Sequence, residues 1–351
     1  LARGDRAVFA DPDLGYVGRF YDAKTDVILN PFDPRSKRWD PFAELEQPYD
    51  VEQLARALIP DEEGSDRTWR AYARTLFASV TEQLVAADVR NLSDLYRLLT
   101  IAEASELRML LAGTPAAPFL AEGNERMFGS IRSVLTSHIA ALKYVEAQQG
   151  EDFSVRQWIR EGRGTLYLPY QATQIAALRS MISAWMRLAI FETMNRPEGD
   201  QRLWFVVDEL DALGAIDGLK DALARLRKFG GRCVLGFQSI AQVSSTYGQG
   251  EAQTIVENCG NTLILRCSAS EQGGTARFAS RLIGEREIVR ENITRGRSGE
   301  LFGDVKHSVS RSLQHVVESA VLPSEIEQLP DLQGILKLAS SSAWTRVTLT
   351  P

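Results

Sequence analysis

The sequence has few cysteines and histidines and no apolar run long enough to cross a membrane. Its three cysteines, Cys233, Cys259 and Cys267, form no CxxC pair and are typical of buried free thiols in a reducing compartment. The three histidines show no metal-ligand spacing, so no structural metal is expected. The most apolar stretch, residues 172–194, carries two arginines and has helical spacing, unlike the roughly 18 uncharged apolar residues of a membrane span. We therefore expect a soluble chain without a signal peptide.

An excess of positive charge is also lacking. The 351 residues carry 40 Lys and Arg against 46 Asp and Glu, a net charge of -6. This balance argues against a protein that is coated with basic surface for nucleic acid. Any nucleic-acid contact must come from a local basic patch, or from a ring of subunits that brings a few basic residues together.

The phosphate-binding P-loop, G-x-x-x-x-G-K-[ST], is absent as well, and so is an initiator methionine. The chain opens at Leu1, directly before the strand-like residues 6–10. In P-loop proteins the loop follows the first strand and opens a helix, and this chain starts where such a helix would just have ended. We expect the sequence to be a fragment whose P-loop lies upstream.

Three regions follow one another along the chain. Residues 1–47 are predicted as strand, loop and strand, with turns rich in Pro and Asp. Residues 48–151 repeat apolar side chains at every third or fourth position, which predicts an all-α domain. Residues 152–351 alternate apolar strands with helices, which indicates a parallel sheet covered on both faces. The predicted fold is therefore α/β: a mostly parallel sheet flanked by helices, formed by residues 1–47 and 152–351, with the all-α domain of residues 48–151 inserted into it.

Most of the individual strands and helices that we predict lie in the last region. Strands are predicted at residues 165–168, 203–207, 232–237 and 261–265, and helices at 172–194, 213–229 and 251–259. Residues 334–339 and 345–349 are predicted to form an edge hairpin that turns at residues 340–342. The polar, Gly-rich residues 286–307 are predicted as a flexible loop. Tyr247 and residues 248–250 are considered as a loop that could face a channel.

An acidic pair follows the most apolar of these strands. Asp208 and Glu209 come directly after five apolar residues, 203–207, and open α/β sheets place their ligands at the carboxyl ends of their strands. Nucleotide hydrolysis needs one carboxylate near magnesium and another group that orients water. We predict that Asp208 binds Mg²⁺ through a water and that Glu209 orients the attacking water. The alternative is that the pair only caps a following helix.

A polar amide ends the next predicted strand. Gln238 follows residues 232–237, and its side chain could sense the γ-phosphate of a nucleotide that is bound beside the acidic pair. The alternative is an incidental glutamine next to Ser239, which would cap a helix.

At this point the sequence resembles the TraD/TrwB coupling proteins of conjugative plasmids and integrative elements. The resemblance covers nearly the whole chain in the same order, and it includes the position of the helical block. It implies a RecA-like domain in which residues 203–209 form the Walker B strand, with ATP and Mg²⁺ as cofactors. The segments that carry it are residues 3–12, 28–33, 203–210, 236–239, 251–254 and 322–326.

The resemblance also implies a role and partners. It implies a homo-hexameric ATPase that recruits the relaxase within the relaxosome and pumps single-stranded DNA into a type IV secretion channel. The expected location is the cytoplasmic side of a bacterial inner membrane, although the family's N-terminal membrane anchor and P-loop are missing here. We therefore expect the fragment alone to be inactive.

Arginine and lysine residues supply the remaining candidates. A ring motor completes each site with an arginine from the neighbouring subunit, for which Arg266 is the first candidate and Arg277 the second. Basic residues repeated around a ring could line a channel for DNA; the alternative is a solvated helix face. The DNA-binding candidates are Lys220, Arg225, Arg227 and Lys228, followed by Arg232.

Two other functions remain open from the sequence. One is a double-stranded DNA translocase of the FtsK or HerA kind, although the helical insertion favours the coupling protein. The other is a non-catalytic docking fragment that binds partners only, which the missing P-loop would favour.

Overall fold

The computed structural model describes residues 4–61, 66–199, 201–268, 274–298, 306–341 and 343–350, without the side chains of 296–298 and 306–308. The contacts between residues divide the chain into two compact units. Unit 1 comprises Leu1–Gln238 and Gln242–Asn258, and unit 2 comprises Ser239–Ala241 and Cys259–Pro351.

Unit 1 is built on a parallel sheet. The strands of this unit are β1 (Arg6–Pro12), β2 (Val27–Ile28), β3 (Arg38–Trp39), β4 (Asp152–Phe153), β5 (Thr165–Tyr170), β6 (Leu203–Val207) and β7 (Gly231–Leu235). Five of them form a sheet in the order β2-β5-β1-β6-β7, in which every neighbouring pair is parallel. The short strands β3 and β4 pair separately. The parallel sheet predicted from the apolar strands is confirmed.

The α-helices of the described residues before 258 follow in chain order. They are α1 (Val17–Phe20), α2 (Asp50–Leu58), α3 (Arg67–Ala86), α4 (Leu92–Thr100), α5 (Ala104–Leu110), α6 (Glu125–Ile139), α7 (Leu142–Glu146), α8 (Val155–Glu161), α9 (Ile175–Met194), α10 (Leu219–Arg225), α11 (Ile240–Tyr247) and α12 (Gln249–Glu257). Short 3₁₀ helices occupy Pro41–Glu44, Ala117–Leu120, Leu210–Leu213 and Leu226–Phe229. The single helix predicted over residues 213–229 is wrong, because Gly214 and Gly218 adopt positive φ angles and break it.

The parallel sheet has a core on each face. Successive residues of a strand point to opposite faces, and those of β1 separate accordingly. Val8 and Ala10 join the large core that contains the side chains of α9, while Ala7 and Phe9 pack with Ile28 and others on the opposite face. Strands buried on both faces read as continuous apolar runs, and this explains why β6 was predictable from the sequence.

In the described residues 50–61 and 66–146, the helices α2–α7 follow one another without an intervening strand. Their apolar side chains belong to the same large core as α9 and one face of the sheet. Capping side chains start two helices of this unit: Asn91 accepts a hydrogen bond from the backbone N–H of Ser93, and Ser154 from that of Gln157. The contacts do not separate this helical block as a unit of its own. The boundaries at residues 48 and 151 stay a prediction.

Unit 2 contains antiparallel sheets. Its strands are β8 (Thr262–Leu265), β9 (Glu285–Ser298), β10 (Lys306–Ser319), β11 (Gln333–Lys337) and β12 (Thr345–Thr348), and its helices are α13 (Gly274–Ile283) and α14 (Pro323–Glu327). The predicted hairpin of the last two strands is confirmed, since β11 pairs antiparallel with β12. The predicted strand at 261–265 forms, but β8 pairs antiparallel with β11 rather than joining the parallel sheet.

The segment predicted as a flexible loop, residues 286–307, belongs in its described part to a long antiparallel ribbon, while residues 299–305 lie outside the described residues. Strands β9 and β10 have 14 residues each and pair over their full lengths, from Lys306 opposite Ser298 to Ser319 opposite Glu285. Apolar residues recur four positions apart, at 289 and 293 in β9 and at 309, 313 and 317 in β10, and this even spacing is compatible with one face of a strand. The prediction failed because glycine and charge were given more weight than this spacing.

No helix within these described ranges is long and apolar enough to span a bilayer.

Candidate functional site

The acidic pair lies at the carboxyl edge of the parallel sheet, next to the middle strand β1. Strand β6 lies between β1 and β7, with Val207 aligned to Ala10 on one side and to Leu235 on the other. Asp208 and Glu209 follow directly, and Asp208 is exposed. The ends of three neighbouring strands therefore meet at the two carboxylates, which lie at the carboxyl end of β6 as the sequence predicted.

A glycine brings the end of β7 against the acidic pair. The N–H of Gly236 donates to the carbonyl oxygen of Val207 at 2.7 Å, and its carbonyl oxygen accepts from the N–H of Leu210 at 2.9 Å. A Cβ atom at this position would lie 2.4 Å from the carbonyl oxygen of Asp208. Only glycine fits such a close approach of two backbones. The segment that continues to Gln238 is thereby held beside the pair.

Gln238 contacts the second carboxylate. Its amide Nε2 donates to Oε1 of Glu209 at 3.2 Å. The prediction that these two side chains belong to one site has a geometric basis in this contact, while their catalytic roles stay predictions. Ser239 does behave as the alternative supposed, because its hydroxyl accepts a hydrogen bond from the N–H of Ala241 at the start of α11.

The capping alternative for the acidic pair has less support. Glu209 precedes the 3₁₀ helix Leu210–Leu213, but its side chain makes no capping hydrogen bond. Both carboxylates instead contact side chains from other strands and loops.

A tyrosine contacts the first carboxylate. The hydroxyl of Tyr16, in the turn after β1, donates to Oδ2 of Asp208 across 3.4 Å. Asp11 fixes this turn, since its carboxylate accepts from the N–H groups of Tyr16 and Val17 at 2.9 and 2.7 Å. Asp11 is fully buried, and burial raises its pKa, with Asp208 adding a smaller repulsion.

A second tyrosine ends the strand on the other side of β1. Tyr170 is the last residue of β5, aligned with Pro12, and only 3% of it is exposed. Its hydroxyl has no hydrogen-bond partner in the described part of the chain. Burial, followed by the negative charges of Glu209 and Asp208, raises its pKa. The sequence reasoning missed Tyr16 and Tyr170. Tyr16 follows β1, which neighbours β6, and Tyr170 ends β5, which lies beyond β1, so their position at this edge becomes visible only once the strand order is known.

The loop that follows the acidic pair is held in place by Tyr247. The buried hydroxyl of Tyr247 accepts from the N–H of Ile216 at 3.2 Å and donates to the carbonyl oxygen of Gly214 at 3.3 Å. Burial raises the pKa of Tyr247 and keeps it protonated. The idea that Tyr247 faces a channel is therefore wrong, because its side chain holds the 214–216 loop inside unit 1. Residues 249 and 250 belong to α12 rather than to a loop.

The basic candidates lie along α10 and the 3₁₀ helix that follows it. Arg225, Arg227 and Lys228 line a surface cavity of about 470 Å³ together with Phe229. Lys228 also forms an ion pair with Glu198 at 2.7 Å. Lys220 lies on α10 and Arg232 on β7. The structure thus groups three of the predicted DNA-binding residues, and their role stays a prediction.

The arginine candidates both lie in unit 2. Arg266 follows β8 directly and forms an ion pair with Asp331 at 2.5 Å, with about half of its side chain exposed. Arg277 lies on α13. Either role in a neighbouring subunit stays a prediction.

Metal and thiol chemistry can be judged for the described residues. Among them, no group of three or more His, Cys, Asp or Glu side chains could hold a metal ion. Asp208 offers one carboxylate, which suits Mg²⁺ because this ion commonly takes one or two protein carboxylates together with waters and phosphate oxygens.

The three cysteines are free thiols and half-buried rather than fully buried, and burial raises the pKa of Cys259 and of Cys267.

Comparison with known proteins matches the same architecture. The chain is 33% identical over 339 residues to the coupling protein TraD of Escherichia coli (strain K12), covering 94% of this chain and 46% of TraD. It spans about half the length of the curated relatives it matches first.

Solved structures of a second protein agree closely with the fold. The bacterial conjugative coupling protein TrwB, as its deltaN70 form, is 31% identical, with a TM-score of 0.87 over 99% of this chain and 78% of that one. TrwB has also been solved with the ATP analogue ADPNP and with ADP and Mg²⁺, at TM-scores of 0.85 and 0.86. The model of the type IV secretion-system coupling protein DNA-binding domain family matches residues 1–350. With its parallel sheet, its acidic strand end and these matches, the chain belongs to the type IV secretion-system coupling protein family.

Proposed function

We propose that this chain is the ATP-hydrolysing part of a conjugative coupling protein, which recruits the relaxosome and pumps single-stranded DNA into a type IV secretion channel. ATP and Mg²⁺ are the proposed cofactors, and the nucleotide complexes of TrwB support both. A homo-hexameric ring at the cytoplasmic face of the bacterial inner membrane is the proposed working form.

One contact carries the proposal: the hydrogen bond from Gln238 to Glu209 at the carboxyl edge of the sheet. It joins a water-orienting carboxylate to a side chain that can also reach a phosphate. Gly236 maintains the contact by holding the two strand ends together. A helix-capping role for Glu209 would require neither the contact with Gln238 nor the close approach at Gly236.

The two carboxylates divide the chemistry. Asp208 is exposed and would hold Mg²⁺ through a water, while Tyr16 fixes its orientation by donating to Oδ2. When bound, Mg²⁺ neutralises the charge that develops on the transferring phosphate. Glu209 orients the attacking water and accepts its proton. When a γ-phosphate is bound, the Gln238 amide gives up its hydrogen bond to Glu209 and donates to the phosphate.

DNA contact is assigned to the basic residues of unit 1. Arg225, Arg227 and Lys228 surround one surface cavity, and Lys220 lies on the same helix as Arg225. Repeated around a ring, these side chains would follow phosphates without reading the base sequence. Arg266 is the proposed arginine that completes a neighbouring subunit's site.

Substituting Glu209→Gln in the full-length protein tests the assignment. ATP should still bind, because the amide keeps the shape of the side chain, but turnover should fall by about 100-fold or more once the base is lost. Nucleotide binding is measured by fluorescence titration and turnover by phosphate release. Glu82→Gln, at an exposed position of α3, is the matched control. Hydrolysis at the wild-type rate by Glu209→Gln would remove Glu209 from this role.

A further inference from the structure

Two tyrosines lie at the carboxyl edge of the sheet, one on each face. Tyr16 packs on the face of the sheet that holds Phe9 and Val206, and its hydroxyl contacts Asp208. Tyr170 belongs to the core on the opposite face, together with Val207. Tyr170 is aligned with Pro12 of β1, and Ala10, two residues earlier, is aligned with Val207. Tyr170 and Glu209, which follows Val207 by two residues, therefore lie at about the same level of the sheet, two strands apart.

The Tyr170 hydroxyl is a donor without an acceptor. A buried polar group that lacks a hydrogen bond is costly, so native proteins rarely leave one. No described side chain or backbone group accepts from this hydroxyl. Its raised pKa, due to burial and to the nearby carboxylates, keeps it protonated at every working pH. The hydroxyl can therefore act as a hydrogen-bond donor, and no described residue of the resting site accepts its hydrogen bond.

The neighbouring carboxylates differ in how many hydrogen bonds they already accept. Asp11 accepts two backbone N–H groups, and Asp208 accepts from Tyr16. Glu209 accepts from Gln238 alone, through Oε1 at 3.2 Å. If Gln238 turns to a phosphate, Glu209 loses this hydrogen bond at the stage when its position matters most. Tyr170 is the buried donor that remains beside it.

We propose that Tyr170 is a positioning residue for Glu209, whose carboxylate accepts a hydrogen bond from the Tyr170 hydroxyl when Gln238 leaves it for the bound nucleotide. Two donors thus alternate on one carboxylate: the glutamine in the resting site and the tyrosine in the loaded site. The inference rests on the proposed function, because it needs Glu209 to orient the attacking water.

Tyr170→Phe in the full-length protein is the test. The KM for ATP should stay unchanged, because the phenol does not touch the nucleotide, and kcat should fall by about 10-fold because Glu209 is less well held.

Stability separates positioning from structure. In the 351-residue chain without nucleotide, Tyr170→Phe should leave the melting temperature unchanged or raise it, because the hydroxyl has no partner to lose. A hydroxyl with a structural role would lower it. Tyr167→Phe is the matched control: it lies on the same strand and is fully buried, but it packs on the opposite face. It should leave kcat and KM as in the wild type.

The outcomes distinguish this inference from the proposed function. Wild-type kcat in Tyr170→Phe, with Glu209→Gln inactive, would overturn the role of Tyr170 alone. A lowered melting temperature in Tyr170→Phe would also overturn it, because the hydroxyl would then have a structural partner. Unchanged turnover in Glu209→Gln would instead overturn the proposed function, whatever Tyr170→Phe does.

Discussion

Buried charge is concentrated in unit 1, while unit 2 carries most of the large apolar side chains that remain exposed. The buried charged residues of the described ranges all lie in unit 1: Asp11, Glu44, Asp50, Arg156, Arg187 and Glu192. The exposed apolar side chains of unit 2 include five from the β9–β10 ribbon alone. A large unit has the interior volume to enclose polar networks, whereas a small one buries a lower fraction of its surface.

Four of the six buried charged residues of unit 1 form ion pairs: Asp50, Arg156, Arg187 and Glu192. Arg156 of α8 contacts Asp50 at the start of α2 and lies 3.9 Å from Glu192 of α9. Arg160 contacts Glu192 at 2.5 Å. Earlier in α9, Arg187 contacts Asp217 at 3.2 Å. Each ion pair links separate elements, so these charges fix how α2, α8 and α9 meet.

The ribbon of unit 2 keeps its exposed apolar side chains on one face, where polar residues lie between them. In its register His315 lies opposite Val289 and Arg311 opposite Ile293, so that apolar and polar residues alternate across the pair. The exposed apolar residues on this face are Val289, Ile293, Val309, Leu313 and Val317. On the opposite face Ile288 pairs with Val316, and Glu318 is bound to Arg286 and Arg290. Burial of the face with the exposed apolar residues therefore contributes little to the stability of the chain.

The largest expected effect comes from breaking the buried network. Arg156→Met should lower the free energy of unfolding by about 3–5 kcal/mol, because Asp50 stays buried after losing its partner. Urea unfolding of the 351-residue chain measures it. Arg38→Met is the matched control, since Arg38 pairs with Asp152 at 2.5 Å and both side chains are about half-exposed; it should cost less than about 1 kcal/mol. Equal losses in the two variants would contradict the contrast between buried and exposed charge.

A smaller effect is expected in the acid range. Burial opposes the charge on Asp50, but hydrogen bonds from Arg156 and from the N–H groups of Gln47 and Glu46 outweigh it and lower its pKa. Asp50 thus stays ionised in the folded chain when the unfolded chain takes up a proton. Its contribution is complete above its unfolded pKa of about 3.8 and is lost as the pH falls through the lowered folded value.

Asp50→Asn should therefore flatten the dependence of stability on pH below about pH 4, by about 1 kcal/mol per pH unit at most. The measurement is a series of urea midpoints between pH 5 and pH 2.5. Asp88→Asn is the control, because the Asp88 side chain is almost fully exposed. A slope that is unchanged in Asp50→Asn would mean that other groups govern acid unfolding.

Much of unit 1 was predictable because its strands are buried on both faces. Residues 203–207 form a continuous apolar run, and β6 has those bounds. The ribbon was not predictable in the same way, because a two-stranded ribbon buries neither face completely and leaves only a weak alternation. Its strands were therefore mistaken for a loop.

The candidate site was half predictable. Asp208, Glu209 and Gln238 follow apolar strands, and this local signal is enough to select them. Tyr16 and Tyr170 are separated from Asp208 by 192 and 38 residues along the chain, and only the strand order β5-β1-β6 brings them to the same edge. No spacing in the sequence encodes that order.

The smallest expected effect concerns the ribbon. Val309→Thr changes shape very little at a position where the side chain is 60% exposed, so the free energy of unfolding should stay within about 0.5 kcal/mol of the wild type. Val8→Thr makes the same change at the fully buried centre of β1 and should cost about 1–3 kcal/mol, because the new hydroxyl is desolvated. Binding of the dye ANS to the folded chain should fall only in Val309→Thr, since only this change removes exposed apolar surface. A loss of stability in Val309→Thr that equals the loss in Val8→Thr would show that the ribbon face is buried in solution, and the contrast between the two units would then disappear.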